Sequence, residues 1–143
     1  MKHKNYFEIT AKDNYDLGIQ KGELFGEFAR QALSQRQDEN SWLKKIKLAK
    51  SEFDLTKNHF PQYIEEIEGY AKASRISVPE FWTISLEDDF DYVDEKCTTI
   101  VTNNGRLLSH NEDWENGSED KICLLKKTVG NVTTLEFFYI NTL

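Results

Sequence analysis

The sequence predicts an α+β chain with helices first and antiparallel strands after them. Residues 13–86 place apolar side chains at intervals of three and four, the spacing of helices with one buried face. From Cys97 onward, β-branched and aromatic residues gather in short runs punctuated by Asn104-Gly105 and Gly130-Asn131. Between the two regions lies an acidic stretch, Glu87 to Glu95, that follows neither pattern.

Tyr6 to Thr10 is a short β-prone segment, after which Asp13 or Asn14 can cap a helix reaching about Gln35. Leu17, Lys21, Leu24, Phe25, Phe28 and Ala32 form its apolar stripe, with Lys21 able to lay its stem along it. Gly18, Gly22 and Gly26 recur every four residues on one flank. Each costs about 1 kcal/mol of helix propensity, so the row implies a neighbouring backbone packed close against it.

A second helix, about Asn40 to Lys57, carries Leu43, Ile46, Lys50 and Phe53 on one face and a solvated basic cluster of Lys44, Lys45 and Lys47. Pro61 suits the first turn of a third helix, with Ile64, Ile67 and Ala71 inward and Glu65, Glu66 and Glu68 outward. Ser77 and Glu80 make a capping box around Pro79 and open a short helix through Phe81, Trp82 and Ile84. The Glu87–Glu95 stretch reads as an exposed connector, since it lacks the glycine and ligand spacing of a calcium loop. Strands are then expected at 97–102, 106–113, 121–129 and 132–140.

At 143 residues there is room for one domain and one core, spanning 1–143. A net charge of −7 disfavours nucleic acid or an anionic membrane as partner. The start has no apolar signal region, and no stretch approaches the roughly 18 apolar residues of a membrane span. A soluble, cytoplasmic protein is therefore expected, with Cys97 and Cys123 as reduced thiols. Cys123, between Ile122 and Leu124, reads as packing.

The chemistry is expected around Cys97. This thiol opens the run Cys97-Thr98-Thr99-Ile100-Val101, and the turn at Asn103-Asn104-Gly105 leads back to His110-Asn111-Glu112-Asp113-Trp114. A cysteine at a strand start with acids on the return strand can hold a nucleophile and orient its base. A two-residue turn at Asn104-Gly105 would set Cys97 opposite Glu112. A three-residue loop with left-handed Gly105, the favoured alternative, would set it opposite Asn111 with Asp113 diagonal. One histidine beside adjacent carboxylates lacks the spacing of a zinc centre, so no metal or other cofactor is expected.

These residues resemble the amino-terminal-nucleophile acylases related to penicillin acyltransferase and, more distantly, bile-salt (choloylglycine) hydrolases and acid ceramidase. The likeness lies in Cys97-Thr98-Thr99, Asn104-Gly105 with Leu107 or Leu108, and His110 to Trp114. The glycine-spaced first helix and Pro61-x-Tyr63-x-x-Glu66 leading to Gly69 and Ala71 are similar to the part preceding the nucleophile. The resemblance implies a precursor with a mostly helical segment 1–96 and a β segment starting at 97. Cys97 would attack the Lys96 carbonyl, and scission would free its own α-amine as base. Asp113 would orient that amine, with Asn111 and His110 as support.

The sequence also departs from the pattern. His110 stands where bile-salt hydrolases carry arginine, and Lys96 where a small residue is common. The partners implied are a small acyl-amide substrate, with acyl-coenzyme A or an amine as acyl donor or acceptor. The family fold stacks two sheets between helical layers, αββα. The 47 residues from Cys97 onward hold about four strands, so an incomplete version is expected, inactive unless a second chain or self-association completes the sheets.

Overall fold

A computed structural model of the chain describes residues 5–35, 38–86, 98–111 and 122–140. The acidic connector expected over Glu87–Glu95 lies outside them. The elements run β1 (Tyr6–Ala11), α1 (Asn14–Ser34), α2 (Glu39–His59), α3 (Pro61–Ser74), α4 (Val78–Ser85), β2 (Thr98–Thr102), β3 (Leu107–Asn111), β4 (Ile122–Val129) and β5 (Val132–Tyr139). Among the described residues the chain is thus α+β in the expected order, a short strand, four helices and then further strands.

Local chemistry sets the helix starts. The Asp13 carboxylate accepts from the Asp16 N–H at 2.8 Å, and Asp38 caps α2 through the N–H groups of Asn40 and Ser41. Pro61 opens α3. Ser77 caps α4, where its hydroxyl also reaches the Glu80 carboxylate at 2.6 Å.

The expected close approach at the glycine row is to α3. A Cβ at Gly18 would collide with the Glu66 carbonyl, and one at Gly69 with the Tyr15 carbonyl. One turn on, a Cβ at Gly22 would stand 2.6 Å from the Tyr70 carbonyl oxygen. Glycine's missing side chain therefore lets the two backbones touch along about three turns.

Against this helix pair lies a three-stranded sheet in the order β1-β4-β5. The strands are not all antiparallel, as the sequence led us to expect. β1 runs parallel to β4, Tyr6 opposite Leu124 through Ala11 opposite Val129, while β4 and β5 are antiparallel. A parallel pair needs a long crossover connection, and the intervening helices supply it. Gly130, at φ 58°, turns β4 into β5 and donates its N–H to the Ala11 carbonyl at 3.1 Å.

Strand alternation then separates two faces. The inner face brings Ile9, Ala11, Cys123, Leu125 and Phe138 onto the helices, where Phe25 meets Phe7 and Phe138 edge-on at 4.9 and 5.3 Å. The outer face carries Tyr6, Leu124, Leu135 and Phe137, all exposed.

Several side chains sit differently from the pattern reading. Leu24 and Phe28 are exposed, because the glycine flank rather than the middle of the apolar stripe meets α3. On α2 the inward row is Trp42, Ile46, Ala49 and Phe53, so Leu43 and Lys50 face out. Glu66 is buried, contrary to its expected outward position. Among the described residues, no helix is long and apolar enough to cross a membrane.

Replacing Gly18 by alanine should destabilise the chain by about 3 kcal/mol, since the obstacle is backbone that cannot rotate away. Alanine at Gly105, where a Cβ would meet nothing within 4 Å but φ is 82°, should cost about 1–2 kcal/mol through backbone strain alone. Urea unfolding followed by far-UV circular dichroism would check both.

Candidate functional site

β2 and β3 form a separate two-stranded hairpin. Its register is the two-residue-turn alternative, with Thr98 opposite Asn111, Thr99 opposite His110 and Thr102 opposite Leu107. The favoured three-residue loop is therefore corrected. The Arg106 N–H donates to the Asn103 carbonyl at 3.2 Å, and Asn104 and Gly105 both take positive φ, 54° and 82°. A turn left-handed at both central residues has the same twist as the strands it joins, so it closes the hairpin without a bulge.

Register decides which polar groups share a face. Asn111 pairs with Thr98, so the pairing of Asn111 with Cys97 that the longer loop required is not formed. His110 points to the opposite face, where its Nδ1 lies 2.8 Å from the Thr99 hydroxyl. The His110 ring also meets Phe137 of β5 at 5.4 Å, edge to face. Phe137 belongs to the sheet's outer face, so the hairpin touches the sheet on the side away from the helices. Cys97, Lys96 and Asp113 lie outside the described residues, as do Glu112 and Trp114.

A second polar cluster, not foreseen from the sequence, lies between the helices and the sheet. The Lys21 side chain is only 2 % exposed and donates to Glu66 at 2.8 Å and to Glu136 at 3.4 Å. Glu136 also accepts from Lys127 at 2.6 Å. Lys21 therefore does not merely lay its stem along the core; its ammonium is enclosed too, 4.9 Å over the Phe138 ring. An ammonium hydrogen-bonded to two carboxylates ties α1 to α3 and β5. The available signal was a lysine at a core position of the first helix, which demands an acid from another element.

Cys123 is buried beside this cluster, and burial pushes its thiol up to about 12 from an ordinary 9.0. A thiol so raised stays protonated at neutral pH, as the packing reading requires. Burial likewise raises the Tyr70 phenol, whose ring stacks on Phe81 at 4.2 Å. Among the described residues no group of three His, Cys, Asp or Glu side chains converges to hold a metal. No protein-family model matches the chain, and no curated protein matches it in sequence.

Glu66→Gln should cost about 3 kcal/mol, because it removes the nearer carboxylate of a buried ammonium and leaves the longer contact to Glu136; Lys21→Met paired with Glu66→Leu should cost much less than the sum of its singles. Chemical denaturation of the four species measures the coupling.

Alkaline stability has a definite sign. The unfolded chain releases the Cys123 and Tyr70 protons near their ordinary 9.0 and 10.0, whereas the folded chain retains them. Stability should fall as pH rises above about 9, less steeply in Cys123→Val, as read from urea midpoints between pH 7 and 10.5.

Proposed function

We propose that the chain belongs to a cytoplasmic cysteine acylase or acyltransferase that cleaves non-peptide amides through an acyl-thioester on Cys97. The observation that carries this reading is the run from Cys97-Thr98-Thr99 to His110-Asn111-Glu112-Asp113 across the Asn104-Gly105 turn. The formed β2–β3 hairpin supports it in one respect: the two arms within the run, Thr98–Thr102 and Leu107–Asn111, pair as a β-ribbon, in the two-residue-turn register.

In the maturation step, the Cys97 Sγ attacks the Lys96 carbonyl carbon, the peptide C–N bond breaks, and the thiol proton passes to the departing α-nitrogen. Water then hydrolyses the thioester, leaving the Lys96 carboxylate, the free Cys97 thiol and its α-amine. That amine, with a pKa of about 7.7, can take the thiol proton at neutral pH without a separate histidine.

In turnover, sulfur attacks the substrate amide carbonyl and the amine returns the proton to the leaving nitrogen. Water, or a second amine, then takes the acyl group. The resemblance gives Asp113 the task of holding the α-ammonium, and of its two supporting residues only one can stand on the thiol's side of the ribbon, because the register sets His110 with Thr99 on one face and Asn111 with Thr98 on the other.

The exposed outer sheet face favours a second reading, a noncatalytic module that binds a partner there. Leu135 and Phe137 are 64 % and 46 % exposed on it.

Intact mass of the purified chain separates the two. The acylase reading expects fragments of 96 and 47 residues, and expects Cys97→Ala to abolish them. An uncleaved wild-type chain whose Cys97 reacts with iodoacetamide at pH 7.5 no faster than buried Cys123 would sink the activated-thiol assignment.

A further inference from the structure

α2 and α4 enclose a groove of about 380 Å³ lined by Ile46, Ala49, Phe53, Val78, Pro79 and Trp82, with Lys50 and Asp54 also on its lining. The volume lies in the range of small-molecule sites, and such sites combine apolar walls with few polar groups. The walls are fixed in advance. The Trp82 indole N–H donates to the Ala49 carbonyl at 2.8 Å, and its ring meets Phe53 edge-on at 5.7 Å. Pro79 stiffens the first turn of α4 under the Ser77 cap.

The two charges give the groove its selectivity. Lys50 and Asp54 stand one helical turn apart, so their side chains emerge on the same flank. Among the described residues neither side chain has a hydrogen-bond or ion-pair partner, and they do not pair with each other. An anion alone would meet Asp54, and a cation alone would meet Lys50. A ligand complementary to both carries both charges close together, with an apolar group beside them to enter the groove.

We propose that this groove binds a free α-amino acid with a large apolar side chain. Its carboxylate faces Lys50, its ammonium faces Asp54, and its side chain lies against Phe53 and Trp82. This inference is independent of the chemistry assigned to Cys97. Because both pairing charges are solvent-exposed, the affinity is in the millimolar range.

The test is a titration of the full ¹⁵N-labelled chain with L-phenylalanine, followed by NMR. The expected result is saturable shifts at Phe53, Val78 and the Trp82 indole N–H. Lys50→Met and Asp54→Asn should each weaken binding about threefold, as loss of an exposed charge pair does. Phenethylamine and 3-phenylpropionate, each lacking one charge, should bind more weakly than L-phenylalanine to a similar degree. Both substituted residues are exposed, and an otherwise unchanged spectrum of each variant reports that the fold persists. The proposal is overturned if no shift saturates, if the shifts map elsewhere, if both variants bind as the wild type does, or if the single-charge analogues bind as well as the amino acid.

Discussion

A lysine ammonium enclosed in the core organises this fold. Lys21 cannot be buried alone, because an unpaired charge in a low-dielectric interior costs more than the rest of the side chain gains. Its partners come from two other elements, Glu66 on α3 and Glu136 on β5, so satisfying one charge fixes the relative placement of the first helix, the third helix and the sheet. The Glu66 carboxylate can reach Lys21 only because the helices nearly touch. That approach depends on Gly18, whose missing Cβ leaves room for the Glu66 backbone carbonyl. The glycine row and the ion pair are thus two parts of one interface, one steric and one electrostatic. Lys127 closes the chain of alternating charges at the sheet.

The same strand that anchors the interior also meets the hairpin. β5 alternates Glu136 and Phe138 toward the helices with Leu135 and Phe137 toward the other side, and His110 of the hairpin lies against Phe137. The proposed catalytic ribbon therefore rests on a strand whose opposite face is held by the buried charges. The helices are separated from it by a layer of sheet. This layering leaves the hairpin on the outer side of the sheet and packing on the inner side, where Cys123 is kept as a protonated thiol by its burial.

The candidate site was legible in the sequence as a motif and not as a geometry. The Asn104-Gly105 turn and both hairpin strands follow from residue type, but the register did not. Two-residue and three-residue turns are both compatible with Asn-Asn-Gly, and they differ by one position along a ladder whose face alternates at every residue. The backbone decided for the shorter turn, which moved Asn111 opposite Thr98 and put His110 against Thr99 and Phe137.

By itself, the sequence determined the element order, the helix caps at Asp13 and Ser77, the turn glycines and the requirement for a close neighbour along Gly18, Gly22 and Gly26. These are local matters of dihedral freedom, orphan N–H groups and periodicity, and each is settled within a few residues. Only the tertiary structure decided that α3 fills that space, that Glu66 turns inward, that β1 joins β4 in parallel and that Trp42 rather than Leu43 faces the core. Each of these depends on what another element offers across a long stretch of chain. A buried charge or a shared sheet edge has no preferred partner until the elements meet.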